Sequence, residues 1–198
     1  MAILEQRIAE LNVENAQLQS ALEAAVEADE QERFLKTRQF EGVAARLVAR
    51  SGDPTSEFVT VDRGTRAGIQ IDAPAIVAGG VIIGRVIAVT DDISRILLST
   101  DNRSSFAGVS LQSTTTQGLV SGARGLSLSM GLISQSEHIE AGDIIVTSGV
   151  DSGVPRGLVL GEVERVDRQT GALFQSASLR PLFQSNRLDV ITILTTNQ

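Results

Sequence analysis

The sequence predicts a mainly β protein, in which a long N-terminal α-helix of coiled-coil type precedes two small β-barrel subdomains. Three observations carry this. Apolar residues near the N-terminus recur at heptad spacing, the remainder is cut into short β-rich runs by turn residues, and one glycine pattern occurs twice.

The helix comes first. Leu4, Ile8, Leu11, Asn15, Leu18, Leu22 and Ala25 are spaced alternately four and three apart. Ile8, Asn15 and Leu22 fall at heptad position a, the other four at d. No Gly or Pro interrupts the chain before Gly42, and Ala, Glu, Gln and Leu dominate. A helix of about 40 residues runs about 60 Å and is too long and one-sided to be stable alone. Its stripe has two candidate partners, a second copy or its own body. The narrow seam and Asn15, whose amide pairs with its symmetry mate, favour a parallel homodimer. Glu5, Arg7, Asn12, Glu14 and Gln19 on the flanks form no charge code for a heterodimer. Beyond Ala25, Asp29 and Glu32 fall on the seam, so the stripe ends. Phe34, Leu35 and Phe40 are expected to dock the helix end onto the body.

From Val43 the composition turns to Val, Ile, Leu, Thr and recurring Gly. Twelve short strand candidates follow, from Val43–Ala49 to Leu188–Thr195. In Leu126-Ser-Leu-Ser-Met-Gly-Leu132 every second side chain is apolar. Turns are marked by Arg63-Gly64, Asp91-Asp92, Asp101-Asn102, Ser121-Gly122, Pro155-Arg156-Gly157 and Thr170-Gly171. This reads as barrels or sandwiches, not βαβ units. Gly80-Val-Ile-Ile-Gly-Arg-Val86 and Gly157-Leu-Val-Leu-Gly-Glu-Val163 share Gly-x-x-x-Gly-x-Val. Gly84 and Gly161 are read as bulge or corner glycines, and the repeat as two similar barrels.

Composition excludes several functions. A net charge of -7, with none of the 17 basic residues in a run, argues against nucleic acid. Six Phe without Trp or Tyr provide no stacking platform. No Cys and a single His leave no thiolate or histidine metal site, and no loop has calcium-ligand spacing; no metal or cofactor is expected. No apolar run approaches the roughly 20 residues of a membrane span. His138 lies in a polar stretch and reads as an exposed loop histidine. Asp151-Ser152-Gly153 has the form of an aspartic-protease triplet, but a plain turn before Pro155 is the better reading. Asp91, Asp92 and Asp101 read as turn and cap residues. No catalytic residue is assigned.

Six motifs in order then carry a resemblance: Asp62-Arg-Gly-Thr-Arg-Ala-Gly-Ile69, Gly80–Val86, Leu97-Leu-Ser-Thr-Asp101, Gly118-Leu-Val-Ser-Gly122, Gly142-Asp-Ile-Ile-Val-Thr-Ser-Gly149 and Pro155–Val163. With the coiled coil before them, the chain resembles the MreC family of bacterial rod shape-determining proteins over nearly all its length. The resemblance implies structural roles for Gly64, Gly68, Gly80, Gly84, Gly142, Gly149, Gly157 and Gly161. It implies a coiled coil over 1–41, a first barrel over 43–110 completed by 187–198, and a second over 111–186. It also implies a non-catalytic scaffold of the cell-elongation complex, dimeric, with filament formation as a further possibility, that binds an elongation penicillin-binding protein and other rod-complex membrane proteins. Such a protein sits on the extracytoplasmic face of the inner membrane, held by an upstream membrane helix; the heptads here begin almost at Met1. No nucleic acid or small-molecule substrate is implied. Two other readings stand beside it. A dimeric two-barrel hydrolase requires Asp151 or His138 to face a cleft with a charged or nucleophilic neighbour. A periplasmic adaptor of an export system requires two antiparallel helices, and the sequence supplies one.

Overall fold

The Gly- and Pro-free N-terminus forms α1 (Ala2–Arg38), the only α-helix among the described residues. At 1.5 Å per residue it is about 55 Å long. The computed structural model describes residues 2–38, 40–51, 56–113, 115–123, 127–169 and 171–195, without the side chains of 2–5, 9, 23, 24, 27, 28 and 30. The Leu4 side chain, Leu126, Thr170 and 196–198 therefore lie outside the described residues.

Beyond the helix the described residues form twelve strands: β1 (Glu41–Arg50), β2 (Phe58–Val61), β3 (Pro74–Val77), β4 (Val81–Val89), β5 (Ser94–Leu98), β6 (Ser105–Ser110), β7 (Gln117–Ala123), β8 (Ser127–Ser134), β9 (Ile144–Thr147), β10 (Val159–Asp167), β11 (Phe174–Arg180) and β12 (Val190–Thr195). Strands β12-β1-β2-β5-β4-β3 pair in that order, and β3 pairs back to β12, closing a six-stranded barrel. The other six pair as β6-β7-β8-β11-β10-β9, with β9 back on β6. Neighbour order is the same in both rings, β12 standing where β6 stands. The C-terminal strand thus fills a place that the N-terminal strand of the unit fills in the second ring.

One expected boundary is corrected. A first unit over 43–110 includes β6, yet β6 pairs only with β7 and β9, so it belongs to the second ring. The chain crosses between the rings just after β5, at a turn built on Asp101, rather than after β6.

The repeated motif is repeated in backbone detail. On β4, Ile83 is an extra residue between the pairs Ile82↔Ile76 and Gly84↔Ala75. On β10, Leu160 is the extra residue between Val159↔Val146 and Gly161↔Ile145. A second bulge follows at Ile87 and at its equivalent Glu164. Bulges add local twist, which a ring this small needs in order to close.

Each ring holds its own core, Val59, Val61, Ile83, Val86, Ile96, Ile191 and Ile193 in the first, and Phe106, Val120, Leu128, Met130, Ile133, Ile145, Leu160 and Leu179 in the second. Ile76, Ile82 and Leu194 come from first-ring strands but pack into the second cluster. Each is at most 4% exposed, and burying such a side chain contributes about 1.5–3 kcal/mol. Part of the joint is therefore an apolar core, and a parallel bridge, Val81↔Val159, ties β4 to β10.

Candidate interaction surfaces

Along α1 the described seam residues Ile8, Leu11, Asn15, Leu18, Leu22 and Ala25 are all exposed, Leu22 to 65%. At the seam positions where the apolar pattern stops, Asp29 and Glu32 pair within the helix, 2.9 Å to Arg33 and 2.6 Å to Lys36. The Lys36 ammonium hydrogen-bonded to Glu32 lowers that carboxyl's pKa and raises the lysine's own. Among the described residues, contacts of α1 with the body come from its last turns. The amide of Gln31 donates to the Ile76 carbonyl at 3.4 Å, and Phe34, Leu35 and Phe40 pack against the second-ring core, as expected. The Phe34 and Phe40 rings lie 6.0 Å apart. In the heptad frame Gln31, Phe34 and Leu35 are c, f and g, about 130° around the helix from the a/d seam. Docking thus leaves the seam uncovered.

The motif glycines fall into two kinds. Gly68, Gly80, Gly142, Gly149 and Gly157 have positive φ. At Gly64, Gly84 and Gly161 the carbonyls of Thr90, Leu97 and Arg180 occupy the space of a Cβ. Gly80 meets both conditions, since with φ at +75° its missing Cβ would run into the Phe34 ring. Its repeat equivalent, Gly157, lies under Arg38, a Cβ there being 3.3 Å from the guanidinium. The two equivalent glycines thus seat the end of α1.

The joint was not legible as such in the sequence. The Asp101 carboxylate, 3% exposed, accepts from the Glu57 amide at 2.8 Å and from the Arg103 amide and guanidinium at 2.9 Å. Chiefly the Arg103 guanidinium, with the backbone donors, holds its pKa down at about 2 against burial, which acts the other way. Gly122 of β7 lies against the Asp101 carbonyl with no room for a side chain, locking the crossing turn to the second ring. Arg85 of β4 spans the joint, 5.0 Å from the centre of the Phe106 ring and 4.0 Å from Asp151.

The hydrolase reading asked for a cleft with a charged or nucleophilic neighbour, and Asp151 has one, with Arg85 4.0 Å away. Asp151 lines a cavity of about 510 Å³ with Glu41 and Ser152. Its Oδ2, however, accepts from the Ala107 amide at 2.8 Å, and among the described residues no histidine or second carboxylate is bonded to it. His138 is exposed and 3.0 Å from Glu140. Asp151 is a tie between loop and strand. Among the described residues no three His, Cys, Asp or Glu side chains group as for a metal ion, and no helix is long and apolar enough to cross a membrane.

By fold this is a stalked β protein with a duplicated strand order. Residues 47–195 match the family model described as rod shape-determining protein MreC, barrel core, and the chain belongs to that family. It is similar to the cell shape-determining protein MreC of Caulobacter vibrioides, at 34% identity over 118 residues, 60% of this chain and 34% of that protein. The Haemophilus influenzae protein matches at 27% over 186 residues, 93% of this chain and 50% of the other. The chain thus spans half or less of the length of these relatives. A solved structure of MreC superposes with a TM-score of 0.78 at 20% identity, covering 88% of this chain and 99% of that one. The MreC chain of a complex between PBP2 and MreC from Helicobacter pylori does so at 0.61 and 17%, covering 79% and 99%. These likenesses establish a common fold.

Proposed function

We propose that this chain is a non-catalytic scaffold of the bacterial cell-elongation machinery, dimerising through α1 and binding a peptidoglycan synthase of the penicillin-binding protein class. One observation carries the dimer: an apolar heptad seam stands exposed while a different face of the same helix is anchored in the body. A lone helix exposing such a seam wants a partner helix, and Asn15 within it favours two parallel strands. The two rings act as two barrels, residues 41–98 with 190–195 and residues 105–180, and present surfaces outside the membrane to which an upstream helix anchors the stalk. The synthase partner is argued from the Helicobacter pylori complex of a similar chain. Higher assembly of dimers into filaments is compatible with this arrangement.

Light scattering tests the dimer. The unaltered chain is expected at twice its 21.0 kDa mass, and Ile8→Lys with Leu18→Lys at the monomer mass with its β body folded. A dimer that survives both substitutions moves self-association to the rings.

A further inference from the structure

Where the two rings meet beside the start of β1, the surface opens into a groove. A cavity of about 510 Å³ is lined by Phe40, Glu41, the loop 149–155, and Leu194 and Thr195 at the end of β12. A second, of about 330 Å³, shares Ser152, Gly153, Leu194 and Thr195 with it and reaches Gly68 and residues 70–73. The larger falls in the size range of ligand pockets, and the shared wall joins the two into one elongated groove spanning both rings.

That wall has an unanswered charge. Glu41 and Asp72 are both exposed, and among the described residues neither carboxylate accepts a hydrogen bond or ion pair. Asp151 adds a third carboxylate, 4.0 Å from Arg85, which lies outside the lining. No Lys or Arg lines either cavity among the described residues.

It also has an unpaired strand edge. The ladder between β12 and β3 ends at Ile193↔Ala75, and the next residue of β3 is Pro74, which has no N–H to extend it. Leu194 and Thr195 run on, paired with Gly42 and Glu41 of β1, and both line the groove. A short free edge of this kind is a template for extended backbone.

We propose that this groove binds an extended peptide segment of a partner protein in which Lys or Arg alternates with aliphatic residues. The edge of β12 selects extended backbone, and the carboxylates of Glu41 and Asp72 select the cation. Val150 and Ile71, 79% and 58% exposed, receive the aliphatic side chains. A second copy does not fit: with a net charge of -7 it brings negative potential to an acidic groove. A compact organic cation would leave the strand edge unused. The site is independent of the synthase-binding reading and stands or falls without it.

The probe is a set of overlapping peptides covering the extracytoplasmic segments of the organism's cell-elongation membrane proteins, titrated with the full chain by fluorescence anisotropy. Peptides that bind are expected to carry Lys or Arg among aliphatic residues and to lose binding when Glu replaces the cation. Glu41→Gln with Asp72→Asn should lower affinity about fivefold; asparagine tolerates the left-handed backbone of Asp72, φ +67°. Ser152→Trp fills the groove at an exposed position and should abolish binding while the thermal midpoint stays level. Asp91→Asn with Asp92→Asn removes equal charge from a turn outside the groove and should bind as the unaltered chain does. An equal loss in that control reduces the contact to general attraction and overturns the proposal. So does the absence of any binding peptide, or unchanged affinity in the groove variants. Spermidine bound as tightly as the peptides, and lost with Ser152→Trp, reassigns the groove to a small cation. A concentration-dependent rise in mass that Ser152→Trp abolishes reassigns it to a second copy; either result overturns the peptide as occupant.

Discussion

Replacing Asp101 by Asn probes the joint between the rings at its most buried charge. The carboxylate oxygens accept from the Glu57 amide, the Arg103 amide and two guanidinium nitrogens, so an asparagine must point its own N–H groups at one set of donors. The pKa of about 2 against an ordinary 3.8 corresponds, at about 1.4 kcal/mol per unit, to about 2 kcal/mol of stability. The sign follows from the depression. The contribution is fully present above the unfolded-state value near 4 and is lost as pH falls through the folded value near 2. Urea unfolding of both proteins from pH 7 to pH 2 reads it, since the other carboxylates titrate alike in each and cancel in the difference. The gap should be about 2 kcal/mol at pH 7, shrink below about pH 4 and all but close near pH 2. A gap that is absent at pH 7, or as wide at pH 2 as at pH 7, refutes the account of Asp101 as a charge held by fixed donors.

Other expectations follow from the same geometry. Gly80→Ala places a side chain at positive φ against the Phe34 ring and should cost about 3 kcal/mol by strain and overpacking, read by denaturant unfolding; a neutral effect would mean that the helix end is not seated there. Phe106→Ala removes a ring 1% exposed and the platform under Arg85, and should cost about 3–5 kcal/mol in the same assay. Ile8→Lys with Leu18→Lys should halve the solution mass without shifting the unfolding of the β body, because neither residue touches it.

How much of this was legible in the sequence differs by element. The heptad spacing marked α1 and the end of its stripe at Asp29, because helical periodicity is a local property. The paired motifs marked Gly84 and Gly161 as bulge or corner glycines; each stands beside the extra residue of a bulge, Ile83 or Leu160. Phe34, Leu35 and Phe40 were legible as a dock by their break with the heptad pattern. The assignment of β6 to the second ring was beyond strand-by-strand reading, since pairing partners far apart in sequence leave no local trace, and the return of β12 to the first was read from the family resemblance alone. Asp101 read as an ordinary turn residue because Arg103 alone is its neighbour in the chain; Glu57 and Gly122 reach it only through the fold. Residue type and spacing determined the helix, the strands and the turns of this protein, while ring closure decided which of those strands share a core and which charge is buried at the joint.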